Sequence, residues 1–176
     1  GQGRAAPYGV GPEEWGRCLC EIFDRWFARD TRRVSVRLFD TVIAKLVDGR
    51  EICCTAGTDC RQYFVVEHNG DVYPCDFHVL PELRLGNVLT ESFEEMAASE
   101  AYRRFGERKS RVHAQCAACE YFAFCRGDCP KNRYGHTARD DVRLSYLCAG
   151  WKMFYAHALP RLKSLAARVK TEPRGS

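Results

Sequence analysis

Apolar residues recur at helical spacing from Pro12 to about Ala28, where Trp15, Leu19, Ile22, Phe23, Trp26 and Phe27 share one face. Pro12 suits a first helical turn, whose N–H groups lack partners anyway, and Glu13 and Glu14 suit the positive end of the helix dipole. The period then changes. Val34, Val36 and Leu38 alternate with Ser35 and Arg37, which predicts a strand, and Thr41 to Val47 predicts a short helix. Helix, strand, helix is the grammar of an α/β unit, and one such unit cannot cover a sheet, so a larger sheet is expected before Gly1. Beyond Gly49, Tyr63–His68 and Val72–Cys75 flank Asn69-Gly70. This predicts a hairpin closed by a type I′ turn with positive φ at both central residues. Short helices are expected at Ser92–Ala98 and Glu100–Arg108, and a longer one from Tyr146 to Leu159. Pro160 should end or kink that helix, and the basic tail after Arg161 reads as a solvated helix end followed by disorder.

The chain has 176 residues, enough for one compact domain or one domain with part of another. It contains no run of 18 apolar residues, so a membrane partner is not expected. Its 27 basic residues are interleaved with 23 acidic ones, and a net charge of +4 gives no reason to expect nucleic acid. It begins with Gly and shows no secretory signal, which reads as a trimmed chain or a piece of a longer one.

The 11 cysteines change the picture. The count is odd, and pairs as close as Cys116 and Cys119 are poor disulfide partners, so metal-bound thiolates in a reducing, cytoplasmic setting are expected instead. Cys18 and Cys20 point to nearly opposite sides of the first helix and should serve packing. Eight others form spaced sets: Cys54-x5-Cys60-x14-Cys75, then Cys116-x2-Cys119-x5-Cys125-x3-Cys129, with Cys148 beyond. Sulfur sites of this kind select zinc or iron–sulfur clusters. The tight second run ends in Cys129-Pro130, like the bacterial ferredoxin string, and favours two clusters over zinc ribbons.

The spacing of Cys60, Gly70, Cys75, Cys116, Cys119, Cys125, Cys129 and Cys148 resembles the seven-cysteine pattern of the SPASM domain, the auxiliary-cluster module of radical S-adenosylmethionine enzymes. The upstream Cys54 and the phrases from Glu67 to Asp76, Leu85-Gly86-Asn87 and Gly127 to Arg133 are similar to the anaerobic sulfatase-maturing branch. The resemblance implies an α+β chain: the last helix–strand–helix of a partial (β/α) barrel over residues 1–48, a SPASM domain of β-hairpin and short helices over 49–150, and a C-terminal helix and tail over 151–176. It implies one [4Fe–4S] cluster on Cys54, Cys60, Cys75 and Cys129, and a second on Cys116, Cys119, Cys125 and Cys148. Cys53 competes with Cys54, which is preferred for its five-residue gap to Cys60.

By the same resemblance, Asp76 is the base that takes the proton from a substrate Cys or Ser as its β-carbon is oxidised to formylglycine. Read without that resemblance, Asp76 is a surface residue after a turn, hydrogen-bonded at most to a backbone amide. The implied partners are an unfolded sulfatase polypeptide and a low-potential donor such as flavodoxin or ferredoxin. The chain lacks Cys-x3-Cys-x2-Cys, so S-adenosylmethionine and a third [4Fe–4S] cluster are expected in an N-terminal part outside it. The alternatives are another SPASM-type peptide maturase, a free-standing electron-transfer or peptide-binding module, and a structural zinc protein. The histidines show no ligand spacing, and Arg126, Lys131 and Arg133 are expected to be solvated charges, or to offset the charge of a cluster.

Overall fold

The computed structural model describes residues 8–133 and 143–172; His136 and both chain ends lie outside them. The chain divides into two compact units, residues 1–56 with 112–176, and residues 57–111.

The first unit is helical. Helix α1 spans Pro12–Arg29, α2 spans Arg37–Asp48, the single-turn helices α5 and α6 span Ala114–Ala117 and Phe122–Cys125, and α7 spans Cys148–Thr171. Its core is aromatic: Phe23, Phe39 and Phe154 are fully buried, with Phe39 stacked on Phe154 at 5.8 Å and edge-on to Phe23 at 5.3 Å. These rings come from α1, α2 and α7, so the three helices are held by shared side chains rather than by short connections. No strand forms at Val34–Leu38: Val36 caps α2 and Leu38 is already helical. The Trp26 indole N–H donates to the Val34 carbonyl at 2.7 Å, fixing the α1–α2 link as a bend instead of an extended segment. The expected helix–strand–helix is therefore two helices.

Pro160 does not end α7. It sits inside a helix of 24 residues, on the exposed side with Ala156, whose carbonyl would have received the missing N–H bond. Buried Leu162, Leu165 and Ala166 continue the apolar face past it. Burial of those side chains, at roughly 1.5–3 kcal/mol for each leucine, offsets a proline cost of about 3 kcal/mol.

In the second unit, β1 (Val65–Val66), β2 (Asp71–Tyr73) and β3 (Gly86–Asn87) form an antiparallel sheet in that order, followed by α3 (Phe93–Ala98) and α4 (Glu100–Glu107). Register pairs Val65 with Tyr73 and Asp71 with Asn87. The hairpin stands where the pattern predicts it, but its turn is not type I′. The Gly70 N–H donates to the Glu67 carbonyl at 2.9 Å, and among the turn residues Gly70 alone has positive φ, at 85°. Asn87 holds the turn from β3, its amide donating to the Asn69 carbonyl at 3.1 Å and to Asp71 at 3.0 Å. Ser92 opens α3 with a capping box, and Met96, Tyr102 and Phe105 give this unit a small core.

Candidate metal centre

Cys116, Cys119, Cys125 and Cys148 line one cleft in the first unit, together with Phe122, Trp151, Lys152 and Tyr155. Local turns bring them there. Cys116 lies in α5, its carbonyl accepts the Cys119 N–H at 3.1 Å, and the Cys119 carbonyl accepts from Phe122 at 2.9 Å to start α6, which ends on Cys125. Cys148 is the first residue of α7. Burial pushes the thiols of Cys116 and Cys148 up, while the charges of Arg133 and Lys152 act to lower the first, and that of Lys152 the second. A metal centre overcomes that cost by replacing the thiol protons.

No disulfide joins any of the eleven cysteines, all among the described residues. Among those residues no three His, Cys, Asp or Glu side chains converge as ligands of one ion do. Tetrahedral zinc at about 2.3 Å from each sulfur would need thiolates about 3.8 Å apart. An iron–sulfur cluster is several atoms wide, and its thiolates stand farther apart than those around a single ion.

The segment after Cys125 is held in an unusual backbone. Arg126, Gly127 and Asp128 have successive positive φ values of 50°, 74° and 61°. Left-handed conformation costs a non-glycine residue about 1–2 kcal/mol, and two side chains stabilise it. Asp128 is 2% exposed and accepts from the Cys129 N–H at 2.6 Å, Ser145 at 2.7 Å and Asn132 at 2.9 Å. Arg133 donates to the carbonyls of Gly127, Asp128 and Arg126 at 2.9, 3.1 and 3.3 Å. Arg133 is thus a backbone clamp rather than a solvated charge. Neither residue stands out by spacing; the signal was an Asp and an Arg flanking a cysteine in a stretch with too little regular structure to satisfy its own carbonyls.

The other four cysteines are divided between the units. Cys54 opens a 310 turn and Cys129 precedes another at Pro130–Asn132 in the first unit; Cys60 and Cys75 belong to the second. Cys53 lies 3.3 Å from the Thr55 hydroxyl, and hydrogen bonding from Cys54 is the main cause that pulls its thiol down to about 5. Cys20, its thiol pushed up by burial, faces the Met153 carbonyl at 4.0 Å, and serves helix packing as expected.

Asp76 follows Cys75 at the end of the hairpin and opens a 310 turn, Asp76–His78. Its side chain is exposed; Oδ1 accepts from the Tyr63 hydroxyl at 3.3 Å and from the Cys75 thiol at 3.4 Å. A carboxylate so placed is open to a substrate and held at one oxygen.

Residues 53–120 match the SPASM iron–sulfur cluster-binding domain. That match includes Cys54, Cys60, Cys75, Cys116 and Cys119, the last two of which line the cleft. It is 38% identical over 160 residues to the serine-type anaerobic sulfatase-maturating enzyme of Bacteroides thetaiotaomicron, covering 90% of this chain and 39% of that protein. It is 33% identical over 165 residues to the cysteine-type enzyme of Clostridium perfringens, covering 93% and 44%. The solved structure of native anSMEcpe with bound AdoMet and Cp18Cys peptide matches with a TM-score of 0.85 at 31% identity, over 97% of this chain and 47% of that one. The chain is a relative of the anaerobic sulfatase-maturating enzymes, Ser-type and Cys-type alike, and spans about two fifths of their length.

Proposed function

We propose that the chain is the C-terminal, auxiliary-cluster part of a radical S-adenosylmethionine oxidoreductase that converts a Cys or Ser of a sulfatase into formylglycine. Residues 1–48 would end the barrel that binds S-adenosylmethionine and a third [4Fe–4S] cluster, 49–150 form the SPASM domain, and 151–176 the closing helix. Cys116, Cys119, Cys125 and Cys148 would hold one auxiliary [4Fe–4S] cluster, and Cys54, Cys60, Cys75 and Cys129 the other. The partners are an unfolded sulfatase segment and a flavodoxin- or ferredoxin-like donor in the cytoplasm. No described helix is long and apolar enough to cross a membrane.

The chemistry asks for a proton acceptor. Removing a hydrogen atom from the substrate β-carbon leaves a carbon radical; loss of one proton from its thiol or hydroxyl and one electron gives a thioaldehyde or aldehyde. When bound, an auxiliary cluster supplies a one-electron acceptor. Asp76 supplies the base: its carboxylate is exposed, and Tyr63 holds one oxygen. The observation that carries the reading is this carboxylate, directly after Cys75, in a chain 38% identical to a serine-type maturase. The complete enzyme should convert a Cys- or Ser-containing sulfatase peptide to the aldehyde and leave a thioether-forming precursor unchanged. The reverse selectivity would assign it to another peptide maturase.

A further inference from the structure

The Trp151 indole nitrogen is a buried donor with no hydrogen-bond partner. Trp151 is 8% exposed and packs against Trp15 at 4.5 Å and Tyr155 at 5.5 Å, so it cannot swing out to water cheaply. An unsatisfied buried N–H is costly, and native structures seldom keep one without a reason. The residue lines the cleft of Cys116, Cys119, Cys125 and Cys148, and lies three positions after Cys148 on α7, hence on the same helix face.

The lining also holds Gln115, Tyr121 and Tyr155, whose oxygens can accept, but none of them bonds to this nitrogen. The four cysteines that line the same cleft bring sulfur as the remaining acceptor. We propose that the Trp151 N–H donates a hydrogen bond to a sulfur of the cluster held by these four cysteines, or to one of its ligating thiolates, and thereby raises that cluster's reduction potential. The inference rests on the ligand set proposed above. Its physics is simple: reduction adds one negative charge that spreads onto sulfur, and a donor stabilises that charge more than the oxidised state.

Trp151 also borders a neighbouring pocket lined by Leu38, Thr41, Val42 and Lys45. A water there is the competing acceptor, and it would leave the potential unaffected.

The test is a redox titration of the anaerobically reconstituted protein followed by electron paramagnetic resonance, with two variants. Trp151→Phe removes the N–H and some volume; replacing Trp151 by β-(3-benzothienyl)alanine keeps the bicyclic shape and removes only the N–H. In both, one cluster should become harder to reduce, its reduced-to-oxidised ratio at fixed potential falling at least threefold (about 28 mV for one electron), while the other cluster titrates as before. Failure of both variants to assemble this cluster, with helix content unchanged, also supports the contact. Unchanged potentials in both variants overturn it, as does a shift in the Phe variant alone, which would report packing. If the unaltered protein binds no iron on this cysteine set, it is the ligand assignment that falls.

Discussion

Gly16 on α1 and Gly150 on α7 meet backbone to backbone: a Cβ on Gly16 would lie 2.7 Å from the Gly150 Cα, and one on Gly150 would lie 2.2 Å from the Pro12 carbonyl oxygen. The two helices cross where neither has a side chain, and the contact lies two residues from Cys148. Gly150→Ala should therefore force the helices apart, because backbone atoms cannot rotate away. Overpacking of this kind costs about 1–3 kcal/mol or more, and the melting temperature should fall by about 3–10 °C. Iron content should fall with it, since the displaced end of α7 carries Cys148.

Asp128 predicts a second loss. Asp128→Ala would leave the Cys129 N–H and the Ser145 and Asn132 side chains without their acceptor in a buried place. The cost should be about 3 kcal/mol or more. Asp128→Asn keeps one acceptor oxygen and should lose roughly half as much in denaturant unfolding. Equal stability of all three proteins would remove the carboxylate from this account.

The pH dependence of α1–α7 packing has a defined sign. Asp24 accepts from Arg161 at 2.6 Å and lies 2.8 Å from His157 Nε2. Burial pushes the Asp24 carboxyl up, but hydrogen bonds and charge from His157 and Arg161 outweigh it and hold the carboxyl below its usual value. A carboxyl depressed on folding adds stability above its unfolded pKa of about 3.9, and that stability disappears as pH falls through the lower folded value. Asp24→Asn should show its full cost at pH 7, no more than about 1 kcal/mol for so exposed a group, and that difference from the unaltered protein should vanish as pH falls well below about 4.

Iron stoichiometry checks the cysteine assignment. The reconstituted chain should hold about eight irons and eight sulfides as two [4Fe–4S] clusters. Cys119→Ser should remove about half the iron, and Cys20→Ser none, because Cys20 only packs against the Met153 carbonyl. A colourless, air-stable protein with stoichiometric zinc would reject the assignment.

The long helical periods and the hairpin were legible because each depends on local pattern: Trp15 to Phe27 on one face, and Asn69-Gly70 between two apolar runs. Val34–Leu38 was not. Five alternating residues fit a strand as well as a loop entering a helix, and Trp26, eight residues earlier on α1, decides between them through its bond to the Val34 carbonyl. Pro160 misled for the same reason, since burial of Leu162 and Leu165 is tertiary. At the candidate centre, spacing grouped Cys116, Cys119 and Cys125 with Cys129, and the family resemblance put Cys148 in its place, giving the four that share a cleft. Asp128 and Arg133 were missed in their real roles, because three successive positive φ values and the carbonyls they expose cannot be read from residue order.

The proposed reaction turns on Asp76, whose exposed carboxylate is held by Tyr63 beside Cys75. Asp76→Asn is nearly isosteric, but a neutral amide cannot accept the substrate proton. In the complete enzyme this variant should keep its iron and still cleave S-adenosylmethionine, while the yield of formylglycine in a sulfatase peptide falls about a hundredfold or more. Full formylglycine yield from the Asn variant, with iron and cofactor cleavage intact, would contradict the assignment of Asp76 as the base.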